Sequence, residues 1–272
     1  MSSKPTVVAR NVSKVYRLNK DGYERGWSLP RNRKEVVALQ EMSLVAYSGE
    51  AIGVIGRNGS GKSTLLSLIS GNEAPTSGEI LVSSQPTLLS VSAALQAHLT
   101  GRQNVRLGLL AKGLDPEEVD AMVDEVAEWA DIGDAIDRPI RTYSSGMGSR
   151  LRFAISTAVR PDILLVDEAL ATGDAMFTKR AEARMNDFLD DASTVFLVSH
   201  SATSIRRHTS RAIWLHEGEM MMEGETPVVL KKYDAWSKAV LEGDRILAGK
   251  LIRRARNDFE SPRIRLDGSQ AR

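Results

Sequence analysis

Residues 56–63 read Gly56-Arg57-Asn58-Gly59-Ser60-Gly61-Lys62-Ser63 and fit the pattern G-x-x-x-x-G-K-[ST]. The glycines allow the backbone to curl so that successive N–H groups point into one concavity. Lys62 can bridge the outer phosphates of a nucleotide, the Ser63 hydroxyl can bind Mg²⁺, and Thr64 follows on the same turn. The apolar run 51–55 predicts a strand before this loop, and 63–70 predicts a helix whose positive end faces the phosphates. The stretch therefore predicts a nucleoside triphosphate site.

Composition limits the class of protein. The chain has 272 residues, of which 42% are hydrophobic, so it can bury a sizeable core. Its 36 basic and 35 acidic residues give a net charge of +1, which provides no general attraction to nucleic acid. There is no cysteine, and the four histidines are scattered, so Mg²⁺ on oxygen ligands is the expected metal. No run of 18 apolar residues and no signal-peptide core occurs, which predicts that any transport role needs a membrane-spanning partner.

Short apolar segments alternate with helical ones, which predicts an α/β fold. Between about residues 99 and 159 helical signals replace the strands, and Asp115-Pro116 marks the start of a helix that we expect to end at Gly133. Residues 18–34 are polar and read as an excursion between early strands. We expect a nucleotide-binding domain over 1–225, with the helical subdomain of about 99–159 inserted in it. The predicted strands are 6–12, 42–47, 51–55, 79–83, 163–166, 194–198 and 212–215.

The last part of the chain, 226–272, reads as a helical and basic appendage. Thr226-Pro227 is a typical helix start, and five arginines follow the apolar face of this helix. Such a charge run is most often a solvated surface, while contact with anionic lipid or an acidic partner is the alternative. The five arginines are Arg253, Arg254, Arg256, Arg263 and Arg265.

A second motif lies where the buried run 163–166 ends in two acids. Asp167 follows the run directly and is placed to hold the water shell of Mg²⁺. Glu168 is then placed to polarise an attacking water as a general base. An acidic turn at a strand end is the plain alternative, which the phosphate loop upstream makes less probable.

Three further motifs surround these acids in a fixed order. Residues 143–147 read Tyr-Ser-Ser-Gly-Met and come before the strand of Asp167. Serines and a glycine at a helix start can bind an anion. This stretch resembles the signature motif of ATP-binding cassette (ABC) proteins, usually L-S-G-G-Q. Residues 171–174, Ala-Thr-Gly-Asp, resemble the D-loop of that family, and 198–200, Val-Ser-His, resemble its switch-histidine strand.

The resemblance covers about residues 6–225 and implies the RecA-like P-loop fold with an inserted helical subdomain. Proteins of this family work as head-to-tail dimers that bind each ATP between the phosphate loop of one subunit and the signature helix of the other. By that likeness, Ser144, Ser145 and Gly146 contact the γ-phosphate across the dimer, and His200 contacts it within the subunit. Tyr16 matches the aromatic residue that stacks on adenine; a core position is the alternative.

Finer features resemble the ATPase subunits that export lipid-linked polysaccharide, teichoic acid, capsule or O-antigen. These features are the altered signature 143–147, the run 167–174 with Ala169 where most cassettes have proline, the stretch 99–104, and the long segment 16–38. The resemblance implies ATP hydrolysis at the cytoplasmic face of the membrane, coupled to an integral membrane permease that translocates a lipid-linked glycan, without nucleic acid. A drug, lipid or protein exporter is the alternative, and a soluble cassette ATPase acting on ribosomes or DNA fits less well.

One family position has no clear counterpart. The glutamine of the Q-loop aligns with 88–93, which reads Leu-Leu-Ser-Val-Ser-Ala. Gln96 lies a few residues later, as in capsule-type relatives. Whether Gln96 reaches Mg²⁺ is left open by the sequence.

Overall fold

The computed structural model describes residues 4–19, 33–89, 95–167, 175–199, 202–262 and 264–265. The chain divides into two compact units, a first unit of Met1–Pro86 with Thr194–Arg272 and a second unit of Thr87–Ser193. The strands are β1 (Pro5–Asn19), β2 (Arg33–Tyr47), β3 (Glu50–Ile55), β4 (Ser77–Val82), β5 (Thr87–Leu89), β6 (Ile163–Asp167), β7 (Thr194–Val198), β8 (Arg211–His216) and β9 (Glu219–Glu225). The helices are α1 (Lys62–Ile69), α2 (Gly101–Ala111), α3 (Pro116–Ala130), α4 (Ser145–Ser156), α5 (Ala175–Asp191), α6 (Ala202–His208), α7 (Thr226–Leu241) and α8 (Arg245–Asn257).

The first unit contains two sheets. In the antiparallel sheet, β1 lies between β2 and β4. In the other sheet, β3 pairs in parallel with β7 on one side and β8 on the other, and β9 adds an antiparallel strand to β8. All five residues of β7 and the last four of β3 are buried. Strands buried on both faces read as continuous apolar runs, which is why the sequence predicts them so directly.

Helix α1 packs its apolar side chains inside the first unit. Leu65 and Leu66 are buried, as are Leu68 and Ile69. A buried hydrogen bond of 2.7 Å between the hydroxyls of Thr6 and Thr194 joins the first strand of one sheet to β7 of the other. Burying these hydroxyls carries no penalty for unmade hydrogen bonds, because each has a partner.

The second unit pairs β5 with β6 in parallel and packs α2, α3 and α4 around an apolar core. Helix α3 begins as expected: Asp115 caps it, and the Glu118 side chain accepts a hydrogen bond from the Asp115 N–H. The predicted end at Gly133 was wrong. The helix ends at Ala130, where Asp131 adopts a left-handed conformation with φ of 53°, a conformation that a short polar side chain tolerates.

The seven predicted strands all overlap observed ones, but the structure corrects their lengths and number. β1 continues to Asn19 and β2 begins at Arg33, so the ends of the predicted excursion belong to strands, and residues 20–32 lie outside the described part. β9 was not predicted, because its residues Glu219–Glu225 alternate little between apolar and polar. Over the described ranges, no helix has the length and apolar character needed to cross a bilayer.

Candidate nucleotide-binding site

The phosphate loop follows β3 and packs tightly against its surroundings. Gly56 has a φ of 153°, and a β-carbon there would lie 2.3 Å from the Leu215 carbonyl oxygen and 2.4 Å from the Ser60 hydroxyl. Gly61 has a φ of 102°, and a β-carbon there would lie 2.7 Å from the Ala38 carbonyl oxygen. Any side chain at these two positions would push the loop away from β8 or β2. The two glycines are therefore required for the path of the backbone.

Lys62 folds back over this loop. Its side chain is 7% exposed, and its ammonium group donates hydrogen bonds to the carbonyl oxygens of Gly56 at 2.7 Å and Arg57 at 3.0 Å. A buried ammonium group at the loop carries a positive charge, which attracts an anion. The position of the amine suits contact with phosphate oxygens above the loop.

The start of α1 has the properties of an anion site. Its N-cap, Gly61, supplies no side-chain hydrogen bond to the first turn. Among the described residues, the Ser60 hydroxyl is a buried polar group without a hydrogen-bond partner. A helix start whose N-cap is glycine and a buried hydroxyl without a partner fit a bound phosphate. Ser63 and Thr64 follow in the first turn, with Ser63 exposed and Thr64 half-buried.

Tyr16 lies beside this helix. Its hydroxyl donates a 2.7 Å hydrogen bond to a Glu73 carboxylate oxygen and also interacts with the Thr64 side chain. Burial, together with the hydrogen bond to Glu73, raises the pKa of Tyr16, so the phenol stays protonated at neutral pH. The Lys14 ammonium lies 5.1 Å from the centre of the Tyr16 ring and 3.0 Å from Glu73. The structure thus places Tyr16 next to Thr64 of α1, and its contact with adenine stays a prediction.

A cavity of about 400 Å³ opens beside the loop. One side is formed by Arg57, Asn58, Gly59 and Ser60 of the loop. The other side is formed by His216, Glu217 and Tyr233, none of which the sequence analysis had assigned to the site. These residues come from the end of β8, the following turn and α7. Their separation of more than 150 residues from the loop left no local signal in the sequence.

The turn between β8 and β9 supports the loop directly. Glu217 and Gly218 have φ values of 49° and 79°, typical of a tight hairpin turn. The Gly218 N–H donates to the Ser60 carbonyl oxygen at 3.1 Å, and the Gly218 carbonyl accepts from the Gln40 N–H at 2.8 Å. Gly218 therefore links the loop to β2 through backbone hydrogen bonds that no side-chain motif encodes.

His216 connects the cavity with the C-terminal helices. Its ring lies 4.9 Å from that of Trp236 in an edge-on contact. Burial lowers the pKa of His216; Glu217 opposes this shift, while the positive charges of Arg256 and Arg57 add to it. His216 is therefore neutral at pH 7.

The remaining described candidates belong to the second unit. Asp167 ends β6 and is partly exposed, while the four preceding residues are buried. Ser144 caps α4: its hydroxyl accepts from the Met147 N–H at 3.2 Å. Ser145 is exposed, and a β-carbon on Gly146 would meet only the Ser144 hydroxyl, at 3.9 Å. Glu168, His200 and the D-loop-like residues 171–174 lie outside the described part of the chain.

Gln96 is exposed, and its backbone is anchored by a residue that the sequence did not single out. Asn104 is 3% exposed; its carbonyl oxygen accepts from the Gln96 N–H at 2.7 Å. The Asn104 amide also donates to the Thr100 carbonyl at 2.8 Å and to the Gln96 carbonyl at 3.2 Å. Asn104 therefore fixes the chain from Gln96 to the start of α2. A buried, fully bonded amide of this kind is costly to replace.

The fold and the phosphate loop define a nucleotide-binding cassette. Residues 39–171 match the family described as ABC transporter, and the chain belongs to this family. Solved structures of low identity share the fold. A dimeric, post-hydrolysis state of the ATP-binding cassette MJ0796 bound to ADP and Pi has a TM-score of 0.64 at 24% identity, over 81% of this chain and 98% of that one. CbiO1 from Clostridium perfringens has a TM-score of 0.57 at 20% identity, over 90% and 98%.

Curated relatives share one name. A teichoic acids export ATP-binding protein TagH of Listeria innocua is 40% identical over 236 residues, which are 85% of this chain and 70% of the relative. The TagH of Enterococcus faecalis is 43% identical over 199 residues, which are 73% of this chain and 44% of the relative. The TagH of Shouchella clausii is 37% identical over 235 residues, 85% of this chain and 65% of the relative. The matched part of this chain therefore covers from 44% to 70% of the length of these relatives.

The two loop glycines, 56 and 59, give a matched test of the packing below the loop. Both have positive φ, but a β-carbon on Gly59 would meet nothing within 4 Å. We expect Gly59→Ala to lower the free energy of unfolding by about 1 kcal/mol, the cost of the left-handed backbone alone. Gly56→Ala should cost about 1–3 kcal/mol more, because the methyl group displaces Leu215 or Ser60. Denaturant titrations without nucleotide measure both values, and equal losses would contradict the packing described.

His216 predicts a pH dependence of stability. Because its folded-state pKa is lowered, the unfolded chain binds more protons below the unfolded pKa of about 6.5. The free energy of unfolding therefore includes the full stabilisation by neutral, buried His216 above that pH. This stabilisation is lost as the pH falls below about 6.5, because the unfolded chain takes up the proton more readily. We expect His216→Gln to lose less stability than the parent between pH 7.5 and pH 5.5, measured by thermal unfolding. A pH dependence identical to that of the parent would count against burial of the neutral ring.

Proposed function

We propose that this chain is the ATP-hydrolysing subunit of an exporter that drives an integral membrane partner to translocate a lipid-linked cell-surface polymer. We propose that this polymer belongs to the teichoic acids, because the relatives are named teichoic acids export ATP-binding proteins. The observation that supports this proposal is the 40% identity, over 85% of the chain, to a teichoic acids export ATP-binding protein. The phosphate loop adds to it, because the Lys62 ammonium group and the start of α1 suit an anion.

The residues of the loop fit the triphosphate of ATP. Lys62 approaches the outer phosphates as a point charge, the N–H groups of residues 57–61 line the concavity, and Tyr16 contacts the base. Mg²⁺, when bound, would neutralise phosphate charge and would use oxygen ligands, for which Ser63 and Asp167 are the candidates. The partly exposed position of Asp167 at the end of a buried strand supports this role.

Glu168 follows Asp167 and is proposed as the general base that accepts a proton from the attacking water. His200 is proposed to donate a hydrogen bond to the outermost phosphate and so to orient it. Both assignments depend on the sequence position of these residues after β6 and β7.

The signature residues are proposed to act across a dimer. Ser144 uses its hydroxyl to cap α4, and the helix start remains accessible because Ser145 is exposed. A capped helix start with a small residue at Gly146 can approach a phosphate closely. Two copies arranged head to tail would then close each site with a residue set that neither copy has alone.

The second unit also offers a surface for the membrane partner. Helix α2 exposes Leu107 and Leu110, which are 43% and 40% exposed, one to two turns after the buried anchor Asn104. We propose that the segment 88–104 and this face of α2 contact the permease. This contact would place the chain at the cytoplasmic face of the membrane.

The test of the proposed function uses Glu168→Gln in cells and in purified membranes. Loss of a positioned base lowers the rate by about 10²- to 10⁴-fold and leaves the binding contacts in place. We therefore expect ATP binding near the parent value, turnover reduced by that factor, and lipid-linked polymer retained inside the cell. The protein should purify from native membranes with an integral membrane subunit. Recovery only from the cytosol on ribosomes or DNA, or normal turnover, would contradict the proposal.

Gly146→Asp tests the contact across the dimer, with Gly146→Asn as its uncharged control. The structure leaves space for a β-carbon at this position, so we expect both variants to retain α4. A carboxylate about 4 Å from a phosphate charge costs roughly 4 kcal/mol at an effective dielectric of about 20. We expect Gly146→Asp to abolish hydrolysis with unchanged ATP affinity of the monomer, and Gly146→Asn to retain more activity. An equal loss of monomer binding would place the residue in the subunit's own site.

A further inference from the structure

The turn between α7 and α8 carries exposed aliphatic side chains. Leu241 is 85% exposed and Ile246 is 73% exposed, while Leu247 is 42% exposed. The turn itself is well defined: Gly243 has a φ of 76°, and the Asp244 carboxylate caps α8 by accepting from the Leu247 N–H at 2.8 Å. Exposed aliphatic groups on an ordered turn would gain free energy if a partner removed them from water.

Helix α8 is basic along its whole length. It carries five cations and no acid among 13 residues, in a chain whose net charge is only +1. Arg256 is paired with Glu219, and Arg254 lies 3.8 Å from Asp258. Within the described part of the chain, no carboxylate oxygen lies within 4.0 Å of the other three, Arg245, Lys250 and Arg253. The positive charge is therefore concentrated on α8, while the exposed acids Glu242 and Asp244 lie in the turn before it.

One aliphatic residue and two cations share the outer face of α8. Ala248 and Ala255 are buried, so they mark the inner face of the helix. At 100° per residue, Ile246, Lys250 and Arg253 lie on the opposite side, at positions i, i+4 and i+7. We call the group formed by Leu241, Ile246, Leu247, Lys250 and Arg253 the hairpin tip.

We propose that the hairpin tip binds an anionic lipid surface. At the boundary of a bilayer, aliphatic side chains enter the acyl region while neighbouring cations contact lipid phosphates, so both kinds of side chain gain free energy together. An acidic protein surface would satisfy the cations and leave the aliphatic groups in water. A second copy would bring two positively charged helices together, which is unfavourable.

This contact is independent of the export function and of the permease. It would raise the concentration of the ATPase at the membrane before it meets a partner, as a weak electrostatic and hydrophobic anchor. Because the tip lies on α7 and α8 and contains none of the nucleotide-site residues, its removal should leave ATP binding unchanged.

The test is sedimentation of the purified full chain with vesicles of phosphatidylcholine alone or mixed with phosphatidylglycerol. We expect binding to the anionic vesicles only, weakening as salt is raised. The double variant Lys250→Gln/Arg253→Gln should lower the partition constant about thirtyfold, since each cation contributes about a fivefold factor. Leu241→Ser/Ile246→Ser should lower it about tenfold through lost apolar burial.

Matched controls use residues of the same kind away from the tip. Lys231→Gln removes an exposed cation of α7, and Val228→Ser removes an aliphatic group that is 47% exposed. Both should bind as the parent does, with thermal unfolding confirming that all variants fold. Equal binding to neutral vesicles, no binding to anionic ones, or unchanged binding of both tip variants would overturn the proposal. So would a concentration-dependent dimer, seen by ultracentrifugation, that the tip variants dissociate.

Discussion

The site depends on how closely the phosphate loop packs on the end of β8. The Leu215 carbonyl oxygen leaves no space for a β-carbon on Gly56, and the Gly218 N–H binds the Ser60 carbonyl from the adjoining turn. The hydrogen bond from Gly218 supports the curl of the loop backbone, and the close approach of Leu215 requires glycine at position 56. With the curl fixed, the Lys62 ammonium reaches two loop carbonyls. The conformation of the loop is therefore determined by packing and hydrogen bonds within the first unit.

The same strand, β8, also packs against helix α7. Trp214 is fully buried and contacts the rings of Tyr233 and Trp236 of α7, at 5.6 and 5.4 Å. His216, two residues on, contacts Trp236 and borders the cavity beside the loop. Apolar packing of this kind is rigid, so α7 belongs to the scaffold of the loop. The part of the chain after residue 226 that the sequence presented as an appendage is, at its start, a structural component of the first unit.

The second unit uses a different device to fix its functional segments. Three of its helices begin with side-chain caps: Thr100 for α2, Asp115 for α3 and Ser144 for α4. The buried amide of Asn104 adds four hydrogen bonds to the backbone of residues 96 to 100. Local polar contacts thus define where each helix starts, and with it the position of the signature residues.

The sequence by itself determined the elements whose signals are local. The phosphate loop is recognised from residue types at fixed spacing. The strands β3, β6 and β7 are recognised from unbroken apolar runs, and the helix caps from one or two adjacent residues. Tertiary structure alone decided what depends on distant parts of the chain. The cavity residues His216, Glu217 and Tyr233, the support by Gly218, and the role of Asn104 arise from contacts that the fold creates. Backbone hydrogen bonds and close packing between separated segments leave no pattern of residue types in the sequence. Sequence motifs therefore could not have identified these residues.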